Sequence, residues 1–280
     1  MSATTMALAP PLAHRERLAE GYTVLSHVGR GRLLDVYEVW SEARDCGCVA
    51  KLAIPELRGD ERGREGLLRE GELLQSLTHP HLVRAYETIA EPNPIIILEL
   101  LSGATLQYVI DNATRRMAAM PIVYLGMHLC SAIGYLHGQG VLHLDLKPGN
   151  VVVGNDGRTR VIDLSLAGPP RHTRGGRGTP LYMAPEQVNA GWLDRPTDVW
   201  GIGMVLYEAA AGRPPFEYER DDPPQLRGRA DSVRRYRRLP EPLAAAIDAC
   251  LEPEPDRRPA IAALAELMRD LHLAHVAQAR

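Results

Sequence analysis

The segment that most constrains this chain is His143–Asn150, which reads His-Leu-Asp-Leu-Lys-Pro-Gly-Asn and follows an apolar run. Asp145 supplies a carboxylate that can accept a proton from an attacking hydroxyl, and Lys147 can neutralise phosphate oxygens. The side-chain oxygen of Asn150 can hold a divalent cation, which prefers hard oxygen ligands. A positioned nucleophile, neutralised charge and a metal ion are what phosphoryl transfer requires. A polar loop between two buried strands is the simpler interpretation of the same segment.

Composition places the chain among soluble globular proteins, since 45% of its 280 residues are hydrophobic and 24% are charged. A net charge of -3 gives no general attraction to nucleic acid or to anionic membranes. Cys46 and Cys48 lack zinc-binding spacing, and with Cys130 and Cys250 we expect them to be free thiols in a reducing compartment. No apolar run reaches the roughly 18 residues of a membrane span, and no secretory signal pattern opens the sequence. We therefore expect a cytoplasmic protein with no membrane span and no nucleic-acid partner.

Lysine is almost absent from the sequence. Lys51 and Lys147 are the only two, so all but two of the 32 Lys and Arg residues are arginine. The coding sequence of a GC-rich bacterium would produce this bias, and it would also explain the single phenylalanine, Phe216. Lysine is a compact point charge and arginine is a broad planar fork, and this difference matters most where a phosphate is held in a tight pocket. Both lysines are therefore expected to contact phosphate.

The run His143–Asn150 resembles the catalytic loop of the protein kinase family, H-R-D-L-K-x-x-N, with Leu144 in place of the arginine. The resemblance implies an α+β fold with two lobes: a small, mostly antiparallel β lobe with one main helix, and a larger, mostly α lobe. It covers about residues 20–275 and implies the following division of the chain: a flexible lead-in at 1–20, a kinase domain at 21–275 with a small lobe at about 21–98, a hinge at about 99–103 and a large lobe at about 104–275, and a tail at 276–280.

Two segments near the start resemble the nucleotide-binding elements of that family. The stretch 29–36 is similar to the glycine-rich loop G-x-G-x-x-G-x-V, with Leu34 in place of the third glycine, and Val49-Ala50-Lys51 resembles the motif of the phosphate-contacting lysine. Glu70 follows Lys51 at about the spacing of the glutamate that pairs with that lysine, although Glu65 and Glu72 are rivals. The resemblance implies that ATP is bound by Gly29, Gly31, Val36, Ala50, Lys51, Glu99, Leu101 and Val152.

The hinge and the metal site are also implied by resemblance. The run 98–103 is similar to the family's hinge, where the backbones of Glu99 and Leu101 would meet the adenine edge. Asp163-Leu164-Ser165 stands where the family has D-F-G, so Asp163 and Asn150 would hold Mg2+, with Mn2+ as the substitute ion.

The segment 166–186 resembles the family's activation segment. Thr179 fits the threonine that bridges Asp145 and Lys147 in Ser/Thr kinases, and Ala184-Pro185-Glu186 fits its closing motif. Further on, Asp198 would brace the catalytic loop and Arg258 would pair with Glu186. Three arginines, spanning Arg171–Arg177, make the segment basic, which indicates either a solvated loop or a docking strip for an acidic or phosphorylated partner.

Three functions fit these motifs. An active Ser/Thr protein kinase, acting on protein Ser/Thr hydroxyls and on itself, would use Asp145, Lys147, Lys51 and Glu70 as its catalytic set. A pseudokinase that serves as an ATP-binding scaffold is favoured by Leu34, Leu144 and Leu164-Ser165. A small-molecule phosphotransferase is disfavoured because Thr179, the 184–186 motif and the 198–200 element shape a platform for protein substrates.

Overall fold

The structure is a computed structural model that describes residues 9–217 and 223–278. Two compact units divide the chain, and one boundary between them, at Leu101 and Ser102, lies within residues 99–103, where the sequence analysis places the hinge. The first unit comprises Met1–Thr78 and Val83–Leu101, and the second comprises His79–Leu82 and Ser102–Arg280.

The first unit is built on a six-stranded antiparallel sheet in the order β1-β2-β3-β4-β6-β5, accompanied by one helix, α1. Its elements are β1 (Arg17–Ala19), β2 (Tyr22–Arg30), β3 (Leu34–Ser41), β4 (Cys46–Ala53), α1 (Glu61–Ser76), β5 (Ala85–Ile89) and β6 (Ile95–Glu99). Short connections between consecutive strands give the antiparallel pairing. This content matches the small β lobe with one main helix.

The two faces of the sheet carry different residues, because neighbouring side chains on a strand point to opposite sides. Ala50 stands opposite Tyr37 and belongs to the buried apolar cluster on one face. Lys51 stands opposite Val36 and therefore shares the other face with Val36 and with Val49. The register thus places the side chains of Ala50 and Lys51 on opposite faces of the sheet.

Helix α1 packs closely against the sheet. Its start is capped by the side chain of Asp60, which accepts a hydrogen bond from the Gly63 amide. A Cβ at Gly71 would lie 2.2 Å from the hydroxyl oxygen of Thr88 on β5, so this contact requires glycine. The close approach leaves Glu70, the preceding residue, buried on the inner side of the helix.

The lead-in predicted for residues 1–20 is wrong for the part that the structure describes. Residues 17–19 form β1 on the edge of the sheet, and Leu12 and Leu18 pack on its apolar cluster. The Arg15 amide also donates to the Val24 carbonyl at 2.8 Å. Partly buried leucines and strand hydrogen bonds fix a segment whose sequence shows no regular period. Residues 1–8 lie outside the described residues.

The second unit is mostly helical, as expected of the large lobe. Its helices are α2 (Leu106–Asp111), α3 (Ala119–Gly138), α4 (Pro185–Val188), α5 (Arg195–Ala211), α6 (Glu241–Cys250) and α7 (Ile261–Gln278). Its strands are β7 (Gly103–Thr105), β8 (Val151–Gly154) and β9 (Thr159–Val161), which form one sheet, and β10 (Arg171–His172) and β11 (Trp192–Leu193), which form another. Helix α7 includes 276–278, which the sequence assigned to a tail.

Helix α5 lies at the centre of the second unit, and every residue from Thr197 to Ala211 is buried. Helix α3 packs against α5 and α7. Its 20 residues are long and apolar enough to cross a membrane, which the sequence analysis did not anticipate, but half of the most apolar window is buried inside the protein. Core helices of globular proteins meet the same criterion, so α3 is weak support for a span. It is the one helix among the described residues that does so.

A stack of histidines joins the segment 79–82 to α3. The rings of His81 and His128 are stacked with their centroids 4.0 Å apart. His81 Nδ1 lies 2.9 Å from the Thr159 carbonyl, and the Thr159 amide donates to His128 Nδ1 at 3.3 Å. The first bond places a proton on His81 Nδ1. The second requires a lone pair on His128 Nδ1, which only the neutral ring has.

Candidate active site

Lys51 and Glu70 form a buried ion pair in the first unit. The Lys51 ammonium lies 2.7 and 2.8 Å from the two carboxylate oxygens of Glu70, and the two residues are only 7% and 3% exposed. Glu65 and Glu72, the rival glutamates, are exposed on the other side of α1. The geometry therefore selects Glu70 as the glutamate that orients Lys51.

The glycine-rich loop is a tight hairpin between β2 and β3. The Gly31 amide donates to the Leu34 carbonyl at 2.8 Å. A Cβ built on Gly29 would meet no atom within 4 Å, and one on Gly31 would meet only that carbonyl. Space is therefore open beside the backbone at both glycines, which allows the close approach that phosphate binding needs. The third family glycine, at Leu34, is not required to form the hairpin.

A buried carboxylate that the sequence analysis missed holds this hairpin together. Asp35 is 1% exposed and accepts two hydrogen bonds of 2.7 Å from Arg30 and one of 3.0 Å from His27. Burial alone would raise the pKa of Asp35, but the bonds from Arg30 and His27 outweigh it and hold that pKa below its usual range. Arg30 also donates to the Ala9 carbonyl at 2.6 Å, which ties the start of the described chain to the hairpin.

In the second unit, Asp145 is the centre of a hydrogen-bonded group. Its Oδ2 accepts a bond of 2.7 Å from Lys147, and its Oδ1 accepts bonds of 2.8 and 3.0 Å from the hydroxyl and amide of Thr179. Lys147 also lies 2.6 Å from the Thr179 hydroxyl. The Asn150 amide group donates to the carbonyl and carboxylate of Asp145 at 2.9 and 3.1 Å. The structure therefore brings these four predicted residues together.

The catalytic loop is held from beneath by Asp198, as the sequence predicts. This carboxylate is 1% exposed and accepts 2.8 Å bonds from the main-chain amides of His143 and Leu144. It also lies 2.9 Å from His137 Nε2. The loop needs this support because Leu144 has a φ of 67°, a left-handed conformation that a bulky side chain rarely adopts.

The side chain of Leu144 is buried where the family has an arginine. It packs with Leu142 and Leu193 in an apolar cluster that Leu166 of the activation segment also joins. Its main-chain carbonyl accepts a bond of 2.9 Å from Gln187. An apolar contact and a main-chain bond thus connect the loop to the segment that follows it.

Two residues have the donor chemistry of a magnesium site. The Ile162 amide donates to the Asn150 carbonyl at 3.0 Å, which places Asp163, the next residue, beside Asn150. A carboxylate and an amide oxygen suit Mg2+, which usually takes one or two protein ligands and completes its shell with water and phosphate. Within 9–217 and 223–278 there is no group of three His, Cys, Asp or Glu side chains that could form an all-protein metal cage. The residues present therefore fit Mg2+.

The end of the activation segment is tied down by an ion pair. Arg258 binds the Glu186 carboxylate through two bonds of 2.6 and 2.8 Å, as the sequence predicts, and its guanidinium lies 5.1 Å from the centre of the Trp200 ring. Bidentate pairs of this kind fix both direction and position.

Of the remaining residues predicted to contact the nucleotide, some have positions that suit such a contact and one does not. Ala50 faces the apolar cluster with no exposed surface, so the prediction that it contacts ATP does not fit the register, and Val49 takes its place on the face of Lys51. Val36 shares that face. Glu99 ends β6 and its carboxylate accepts a bond of 2.8 Å from the Arg84 amide, while Leu101 is the last residue of the first unit. Val152 lies on β8 and is 9% exposed.

Comparison with known proteins gives one family and one fold. A family model described as "Protein kinase domain" matches residues 22–268. The chain is 32% identical over 285 residues to the DNA damage-responsive serine/threonine-protein kinase RqkA of Deinococcus radiodurans, covering 95% of this chain and 42% of that protein. It is 32% identical over 204 residues to serine/threonine-protein kinase 36 of Pongo abelii, covering 70% of this chain and 15% of that protein.

A further relative is also a serine/threonine-protein kinase. Serine/threonine-protein kinase ULK3 of Homo sapiens is 31% identical over 204 residues, covering 70% of this chain and 43% of that protein. The chain thus spans less than half the length of these curated relatives. The crystal structure of a mutant form of the Mycobacterium tuberculosis PknI kinase domain superposes with a TM-score of 0.73 at 22% identity, covering 93% of this chain and 99% of that one. That likeness establishes the fold.

Proposed function

Because the chain belongs to the protein kinase family, we propose that it is an active serine/threonine kinase domain. It would transfer the γ-phosphoryl group of Mg-ATP to Ser or Thr hydroxyls of proteins, including its own. The observation that carries this proposal is the bonded group on Asp145, in which Lys147 and Thr179 hold the two carboxylate oxygens at 2.7 and 2.8 Å.

Asp145 would accept the proton of the attacking hydroxyl. Its carboxylate is oriented by Lys147, Thr179 and Asn150, so the hydroxyl oxygen is directed at the phosphorus while its proton leaves. Lys147 would then neutralise charge that develops on the transferred group, because its ammonium already lies beside the proton acceptor. Precise placement of these groups matters more than covalent chemistry in phosphoryl transfer.

Binding of the nucleotide would fall to the residues of the first unit and to the two oxygen donors of the second. Lys51, held by Glu70, would contact the α- and β-phosphates, and the open backbone at Gly29 and Gly31 would cover them. Asn150 and Asp163 would hold Mg2+ or Mn2+, which would neutralise the phosphates when bound. Val36, Val49 and Val152 offer apolar contacts for the base, and Glu99 and Leu101 offer main-chain groups.

The partner and the location follow from charge and thiol chemistry. The arginines of 171–177 favour a partner that is acidic or phosphorylated. All four cysteines are free, which suits a reducing compartment such as the cytoplasm. A bacterial source would agree with the arginine bias.

The decisive test incubates purified protein with magnesium, labelled ATP and a mixed protein substrate, beside Lys51→Met and Asp145→Asn. We expect label on protein with the native chain and at least a hundredfold less with either variant. If no protein is labelled while Mg-ATP still raises the melting temperature, the proposal fails and the pseudokinase scaffold replaces it. Hydroxyl phosphorylation confined to small molecules would instead indicate the small-molecule phosphotransferase.

A further inference from the structure

The activation segment carries positive charge that no described acidic side chain neutralises. Arg174 and Arg177 are exposed, and neither forms an ion pair with any residue in the described ranges. Arg171 donates to the main-chain carbonyls of Leu166 and Pro169 at 3.1 and 3.2 Å. Within 9–217 and 223–278, these three arginines have no acidic partner.

These charges precede, in the chain, the residue that is bonded to the proton acceptor. Thr179 is bonded to the Asp145 carboxylate through both its amide and its hydroxyl. Arg177 is two residues earlier, so its Cα lies within about 7 Å of the Thr179 Cα. Burial, together with the charge of Arg177, lowers the pKa of Arg171.

Two of the acidic groups close to the same segment, Glu208 and Glu186, are not available to a substrate, whereas Asp111 is exposed. Glu208 is 3% exposed and accepts bonds from the Tyr182 hydroxyl at 2.9 Å and from Gln107 at 3.4 Å. Burial raises the pKa of Glu208. Glu186 is neutralised by Arg258. Gly149, in the catalytic loop, has no side chain and therefore contributes no negative charge.

We infer that this active site selects Ser and Thr hydroxyls flanked by acidic residues, with Arg174 and Arg177 binding the substrate carboxylates. This inference rests on the proposed kinase function and specifies its substrate class. An anion that binds exposed guanidinium groups gains charge-assisted hydrogen bonds. A basic substrate would meet like charge, which suppresses binding of the wrong partner.

Three synthetic peptides test the substrate class. Each contains one Ser, and its flanking residues are four Glu, four Gln or four Lys on an alanine background. We expect kcat/KM to be at least tenfold higher for the Glu peptide than for the Gln peptide, and lowest for the Lys peptide. The ratio should shrink as salt rises from about 50 to 500 mM, because exposed charges are screened. Equal rates, or a preference for the Lys peptide, would overturn the inference.

The double variant Arg174→Glu/Arg177→Glu assigns the preference to these residues. It should lower kcat/KM for the Glu peptide about tenfold and raise it for the Lys peptide, with an unchanged melting temperature. Arg269→Glu makes the same charge change at an exposed position on α7 and should leave the ratio unaltered. If the double variant keeps the native preference, the inference is wrong even though the kinase is active. Transfer to none of the peptides and to no protein would instead refute the kinase function.

Discussion

Two loops of this protein are each organised around one buried aspartate, but the two carboxylates bind different kinds of partner. Asp198 accepts hydrogen bonds from two main-chain amides of the catalytic loop, at His143 and Leu144, and its side-chain neighbour is His137. Asp35 accepts side-chain groups of the glycine-rich hairpin, from Arg30 and His27. Both carboxylates are 1% exposed, so burial does not distinguish them.

The difference explains which loop tolerates substitution. A main-chain clamp fixes φ and ψ whatever side chain stands above it, so the catalytic loop keeps its shape although Leu144 replaces an arginine. A side-chain clamp depends on the identity and charge of its partners, so the hairpin would lose its restraint with any one of them. We expect the catalytic loop to lose its conformation only when Asp198 is replaced. The hairpin should lose its restraint in steps, as each of its side-chain partners is replaced.

The largest effect is expected for Asp198→Asn. The new amide group presents a donor to one of the two main-chain donors and leaves it unsatisfied, which should cost about 3 kcal/mol of unfolding free energy and at least a hundredfold in phosphoryl transfer. Denaturant unfolding and initial rates measure the two quantities. Asp156→Asn is the matched control, since that carboxylate pairs with Arg160 at the surface and its replacement should change the unfolding free energy far less. A variant with native rates would show that the hydrogen bonds of Asp198 do not determine the conformation of the catalytic loop.

Leu144→Ala should separate stability from activity. Removing a buried leucine side chain from the cluster with Leu142 and Leu193 should cost about 3 kcal/mol of unfolding free energy. The Asp198 bonds to the main chain remain, so the rate of the folded variant at 25 °C should stay within about threefold of native. A hundredfold rate loss in folded protein would mean that the side chain, and not the main chain, positions Asp145.

Asp35→Asn should have a moderate effect on the hairpin. The guanidinium of Arg30 loses its charged partner but remains partly in water, so we expect a loss of about 1–2 kcal/mol. The KM for ATP should rise several-fold while kcat changes by less than threefold. Glu42→Gln, at an exposed position on the far end of the same strand pair, is the control. If kcat falls as far as in Asp198→Asn, the contrast between the two clamps is not real.

Acid should weaken the second unit before it releases the hairpin. Burial first, and then the neighbouring His81, lower the pKa of His128 to about 4, and burial also lowers the pKa values of His79 and His81. The unfolded chain takes up these protons near pH 6.5, so between about pH 6.5 and 4 it binds more protons than the folded protein and the free energy of unfolding falls. Asp35, whose pKa is held below its usual range, loses its charge only under stronger acid.

Urea unfolding at pH 7 and pH 5, followed by hydrogen exchange, tests this order. Amides of α3 should lose protection at pH 5, while those of β2 and β3 should keep it. His128→Gln removes the titrating ring and should flatten the dependence, whereas His275→Gln, exposed on α7, should leave it unchanged. Earlier loss of protection in the hairpin would reverse the comparison.

The smallest effect is expected for Thr173→Ala. A phosphate on the activation segment has no arginine at position 144 to bind, and the loop is held by Asp198 without it. The rate of transfer should therefore stay within about twofold of native. Loss of activity in a folded Thr173→Ala protein would show that a phosphate is required and that a nearby arginine, such as Arg171, receives it.

The sequence could predict site residues that lie close together in the chain, that belong to a scarce residue type, or that match a motif of a known family. Lys147 and Asn150 lie within five residues of Asp145, so a loop brings them together almost regardless of the fold. The scarcity of lysine singled out Lys51, and resemblance to a known family supplied its distant partner Glu70. The pairs Glu186 with Arg258 and Asp198 with the loop came from the same source.

What the sequence could not predict depends on pairing across strands and on packing. Whether Ala50 or Val49 shares a face with Lys51 depends on strand register, and a shift of one residue reverses the answer. The burial of Asp35 requires Arg30 and His27 to meet it across the hairpin. Segment 9–20 has no regular period from which its order could be predicted. Its order comes from Leu12 and Leu18, which pack on a sheet formed by later residues.

The ion pair of Lys51 also has a use in chemical labelling. Apart from the amino terminus, the chain contains only two primary amines, Lys51 and Lys147, and both are bonded to active-site carboxylates. An amine-reactive reagent therefore reads out the active site and almost nothing else. The two adducts lie on different units, so mass spectra recorded with and without ATP would test whether the nucleotide protects Lys51, Lys147 or both from the reagent.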